Sequence, residues 1–154
     1  MSITSTDRIE KTVILRAPRA RVWQALTDAG AFGQWFGVEV AGPFAPGARV
    51  TGRITHPGFE HLPLEMTIER MEPERLFAWR WHPNAVEPGV DYSAEPTTLV
   101  SFELADVEEG TRLTLVESGF DGIPLARRAI AYRGNDEGWA QQVVAIERYL
   151  SGSA

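Results

Sequence analysis

A lone carboxylate in a file of apolar residues is the first place where this sequence offers chemistry. Glu117 shares the parity of Leu113 and Leu115, so an unbroken strand turns it inward with them. Carboxylates are seldom buried without partners. Two readings stand side by side: a desolvated general acid/base or ligand anchor, or a residue that sits at the wet end of the strand or pairs with an arginine. His56 follows Ile54 at the same inward spacing and is the candidate partner for proton transfer, although Pro57 after it also suits a loop. The histidines, His56, His61 and His82, match none of the compact spacings that set two imidazoles on one face, which argues against a metal site. The glycines lack the strand-to-helix setting of a phosphate loop, and Ser101 and Ser118 lie in no nucleophile-elbow motif. No cofactor is expected.

Five tryptophans and seven phenylalanines either fill a core or line a cavity for an apolar or aromatic ligand. Trp23 and Trp35 suit plain packing. Phe77, Trp79, Trp81, Phe102, Phe120, Tyr132, Trp139 and Val143 are the candidate ligand-facing residues, since strand parity or helix position turns them towards a common interior. Arg80 has the opposite parity and belongs in solvent.

The elements that must position these residues follow from period and punctuation. Ile9 to Leu15 is rich in β-branched residues and stops before Pro18, which suits the start of a helix carrying Val22, Trp23 and Leu26 on one face. A second short helix spans Phe32 to Phe36 and closes at Gly37. Alternation then predicts strands at Val50 to Ile54, Leu64 to Glu69, Leu76 to Trp81, Val100 to Leu104 and Leu113 to Glu117, with turns at MEPER and at Glu108-Glu109-Gly110. Residues 82–96, with three prolines, read as a long surface loop that borders a binding site. Pro124 opens a short helix that Gly134 stops, and Asn135 caps the main terminal helix, whose stripe is Trp139, Val143, Ile146 and Leu150. One strand, two helices, a run of antiparallel strands and a final helix make an α+β domain over residues 1–154.

Composition narrows the function. There are no cysteines, so thiolate chemistry and disulfides are excluded, as suits a cytoplasmic protein. A net charge of -6 disfavours binding to a phosphate backbone, so no nucleic-acid partner is expected. No apolar run reaches the ~18 residues of a membrane span, and MSITSTDRIEK has no signal-peptide core.

The segments IEKTVILRAPRARVWQALTDAGAFGQWFG, PERLFAWRW, GTRLTLVESGF and GWAQQVVAIERYL together resemble the family named for the activator of the heat-shock protein 90 ATPase, within the START-like, birch-pollen-allergen-type superfamily. The resemblance implies a helix-grip fold, in which a curved antiparallel sheet of six or seven strands wraps a long C-terminal helix around a cavity. The resemblance leaves function open; the leading reading is a small cytoplasmic protein, monomer or homodimer, that binds a hydrophobic or aromatic small molecule between its sheet and its C-terminal helix. Two other classes remain open: a cyclase, isomerase or hydrolase using Glu117 and His56, and an interaction protein that regulates a chaperone ATPase or a stress response. Relatives often carry histidine where this chain has Glu117, so any role tied to that imidazole is in doubt here.

Overall fold

The sheet opens with β1 (Arg8–Leu15), a β-branched-rich strand that ends just before Pro18. The computed structural model describes residues 7–58, 60, 62–83 and 90–152. Pro18 caps α1 (Arg19–Thr27), and the Asp28 side chain then accepts from the Ala31 amide to start α2 (Ala29–Phe36). Gly37 ends α2 in the left-handed conformation, with φ 84°, as expected of a glycine past a helix C-terminus. The first helix ends at Thr27, before the expected stop near Gly30, and α2 begins at Ala29, ahead of the expected start at Phe32, so that Gly30 lies within it.

The remaining strands are β2 (Val38–Val40), β3 (Arg49–Ile54), β4 (Pro63–Glu72), β5 (Leu76–Trp81), β6 (Thr98–Val107) and β7 (Gly110–Ser118). Every neighbour is antiparallel, in the order β1-β7-β6-β5-β4-β3-β2. With α3 (Leu125–Leu150) the architecture is the expected α+β helix-grip, with two short helices after the first strand. β2 has no counterpart in the sequence reading, because three residues are too few to display an alternation. Its pairing demands a close approach: a Cβ built on Gly52 would lie 2.0 Å from the Glu39 carbonyl oxygen. Gly52→Ala is therefore expected to unpair β2 from β3 and cost about 2 to 3 kcal/mol in chemical denaturation. An alanine variant as stable as the parent would show that the strands part at no cost.

Gly134 does not interrupt the terminal helix. α3 runs unbroken for 26 residues, so the expected stop at Gly134 and the cap at Asn135 are both incorrect. A glycine inside a helix costs only about 1 kcal/mol, and buried Ala131 and Trp139 on either side offset it. Freed from capping, the Asn135 side chain turns to the interior. Trp139, Ile146 and Leu150 are buried against the sheet as the stripe predicts, while Val143 is half-buried at its margin.

The inward file of each strand forms the core. Leu64, Met66 and Ile68 of β4, Phe77 and Trp79 of β5, Val100, Phe102 and Leu104 of β6, and Leu113 and Leu115 of β7 are all buried. Ile68 pairs with Trp79, Trp79 with Val100 and Val100 with Glu117, so the file that carries the tryptophan continues onto the carboxylate. Arg80 is exposed and paired with Glu69 across the strand, as its parity requires.

Candidate functional site

Glu117 is fully buried, at 0% exposure, near the end of β7. Four neutral side chains donate to it. Trp139 Nε1 reaches Oε1 at 2.7 Å, and Trp81 Nε1 reaches Oε2 at 2.8 Å. The Thr98 hydroxyl donates to Oε2 at 2.5 Å, and Asn135 Nδ2 lies 2.9 and 3.1 Å from the two oxygens. An ionised carboxylate offers about four lone-pair positions, and four donors meet them. Glu117 is inward and desolvated, as its parity predicts, and its partners are indoles, an amide and a hydroxyl rather than water or an arginine.

The register explains how the donors converge. Trp81 ends β5 and pairs with Thr98, which begins β6, so both reach the sheet end where Glu117 sits on the next strand. Asn135 and Trp139 are four residues apart, on one face of α3. Sequence reasoning missed Thr98 and Asn135. The parity of Val100 and Phe102 extends to Thr98 and was a usable signal, whereas Asn135 needed the continuity of α3 through Gly134.

An aromatic wall adjoins the carboxylate. Phe36, Trp79, Trp81 and Trp139 are in mutual contact, with centroid separations of 5.5 to 6.2 Å. Phe102 lies 5.2 Å from Trp79 and 5.9 Å from Trp139, and Phe77 lies 5.6 Å from Trp79. Phe36 and Trp81 are half-buried and form the outer side of the four-ring cluster, while Trp79 and Trp139 lie inside. Gln142 Nε2 donates to the Phe36 carbonyl at 2.9 Å and fixes the end of α2 against α3. Five of the sequence-selected aromatics, Phe77, Trp79, Trp81, Phe102 and Trp139, are thus brought together. Phe120 and Tyr132 form a separate pair 5.2 Å apart, and the Tyr132 hydroxyl donates to the Arg8 carbonyl.

His56 does not join this assembly. β3 ends at Ile54, and His56 is exposed in the turn beyond it, so the inward parity stops two residues short. β3 also lies four places from β7 in the sheet, about 19 Å at the usual strand spacing. The expected Glu117–His56 pair is therefore not formed. His61 lies outside the described residues, and among those described no three His, Asp or Glu residues are grouped to hold a metal ion.

The loop joining β5 to β6 is expected to border the site, and its described ends do so, because they carry Trp81 and Thr98. Residues 84–89 fall outside the description. Arg127 of α3 fixes the rest of the loop: it meets the Glu95 carboxylate through Nε at 3.1 Å and Nη2 at 2.7 Å, donates to the Pro83 carbonyl at 3.0 Å, and lies 4.7 Å from the Tyr92 ring centre. His82 Nε2 is 3.0 Å from the Glu95 carbonyl oxygen. Further along, the Ser93 hydroxyl and amide donate to Asp91 and hold its pKa below the ordinary aspartate value. Arg127→Met is expected to lower stability by about 1 to 2 kcal/mol and to accelerate exchange of the Glu95 amide, which donates to the Tyr92 carbonyl. Unchanged exchange there would mean that the loop holds itself.

No curated protein matches the chain by sequence. Among solved structures, protein MLL2253 from Mesorhizobium loti superposes with a TM-score of 0.75 at 22% identity, over 96% of this chain and 98% of that one. DynU16, described as a putative protein in the dynemicin biosynthetic locus, gives 0.73 at 25% identity, and 96% of this chain spans 48% of its length. The Aha1 dimer from Colwellia psychrerythraea gives 0.68 at 17% identity, over 93% and 95% of the two chains. These likenesses carry the fold. The family model described as Activator of Hsp90 ATPase homolog 1-like protein matches residues 16–151, nearly the whole chain, and the chain belongs to that START-like family.

Proposed function

We propose that this protein binds a hydrophobic or aromatic small molecule between its sheet and α3, and that Glu117 fixes the binding wall instead of transferring protons. The saturation of Glu117 by four neutral donors carries this reading. A general base needs a lone pair facing its substrate, and here the lone pairs face Trp81, Thr98, Asn135 and Trp139. What remains for recognition is aromatic surface, with half-buried Phe36 and Trp81 on its outer side. This arrangement speaks against Glu117 as an enzyme's general base, and His56 lies in the turn after β3, another strand.

Regulation of a chaperone ATPase rests on the family description alone and has no docking feature in its favour among the residues described. Among those residues, no helix is long and apolar enough to cross a membrane. The absence of cysteine favours the cytoplasm as the place of action.

Native mass spectrometry of freshly purified protein tests the proposal and reads monomer or homodimer at the same time. A co-purified small molecule, or tryptophan fluorescence that responds to a panel of aromatic compounds, supports binding. No adduct and no response across the panel would remove it.

A further inference from the structure

Three indoles meet in the four-ring cluster, and two of them donate to Glu117. The third does not. Trp79 is 0% exposed, and among the described residues its Nε1 has no hydrogen-bond partner. Buried donors are almost always satisfied, and leaving one without an acceptor costs free energy that the fold recovers only if something else supplies a lone pair. Contacts between an N–H and a ring face are weaker and do not replace a true acceptor.

We propose that Trp79 Nε1 is the docking donor of the binding site, and that the ligand class is an apolar or aromatic molecule carrying a carbonyl-type acceptor. This rests on the small-molecule reading above. Trp79 lies at the centre of the apolar wall: its ring contacts Phe32, Phe36, Phe77, Trp81, Phe102 and Trp139, and half-buried Phe36, which holds no hydrogen bond to Glu117, is the ring a flat body would displace to approach it. The other two indoles are not available to compete for the acceptor.

1-Indanone and indane have nearly the same shape and differ by one carbonyl oxygen, which makes them the probes. In titrations followed by nitrogen–proton correlation NMR of the intact protein, 1-indanone is expected to bind about tenfold more tightly than indane, the worth of one hydrogen bond. It is also expected to move the Trp79 indole resonance downfield, while those of Trp81 and Trp139 stay close to their positions. Trp79→Phe keeps an aromatic ring but has no donor, and its preference for the ketone is expected to fall below about twofold. Equal binding of the two probes by the parent overturns the proposal and leaves small-molecule binding intact. So does a ketone preference that survives Trp79→Phe, or a cross-peak from the Trp79 indole to a long-lived internal water in the unliganded protein. Binding of neither probe overturns both. The indole shift is read on the parent protein, so the test stands even if the variant fails to fold.

Discussion

Glu117→Leu is expected to destabilise the protein by about 3 to 5 kcal/mol, and Glu117→Gln by about 1 to 3 kcal/mol. The order follows from which donors can adapt. A hydroxyl and an amide can reverse their hydrogen-bonding roles, whereas an indole N–H can only donate. Glutamine supplies one acceptor oxygen and one donor group, and whichever way its amide turns, Trp81 or Trp139 faces a donor. Leucine abandons both indoles in a buried site. Glutamine keeps the shape of the side chain and changes only what its end group can accept, so it is the more searching test. Urea denaturation of the parent and both variants decides it. A glutamine variant equal to or more stable than the parent would mean that the indole hydrogen bonds to Glu117 contribute nothing net to stability.

Trp139→Ala is expected to cost about 3 to 5 kcal/mol, as the truncation of a buried aromatic. Trp139 is 3% exposed, meets Phe36, Trp79, Trp81 and Phe102, and supplies the donor to Glu117 Oε1. Trp139→Phe separates these roles, because it retains a ring but removes the N–H, and about 1 to 2 kcal/mol is expected for the hydrogen bond. In a double-mutant cycle, Trp139→Phe and Glu117→Gln are expected to couple by about 1 kcal/mol. Strict additivity of the two changes would show that the 2.7 Å contact contributes nothing measurable.

What the sequence could convey depended on how local the signal was. Parity alone placed Phe77, Trp79, Phe102 and Glu117 on the inner face, because alternation along one strand is a property of that strand. The helix pairing of Pro18 with Gly37 was likewise local punctuation. The partners of Glu117 were not local: they come from the end of β5, the start of β6 and the middle of α3, and only the sheet register and the passage of α3 beside it join them. Gly134 misled for a related reason. Its intrinsic cost is real, but the decision belonged to packing on both sides of it, which a glycine-based rule does not weigh. His56 failed by two residues, since parity carries no information about where a strand ends.

The pairing of β1 with β7 also determines when the molecule can complete itself. Arg8 lies opposite Ser118 and Leu15 opposite Thr111, so β1 waits for β7, which is made after every other strand described. Loop-closure entropy must be met before that edge contributes anything, and such non-local pairing slows folding. Asn135 and Trp139 are made later still. Until α3 docks, Glu117 lacks two of its four donors, and a strand of alternating Leu113, Leu115 and Glu117 has reason to stay wet at its charged end. Closing the core over Glu117 before α3 docks would bury the carboxylate without two of its donors, so the helix and the site complete together.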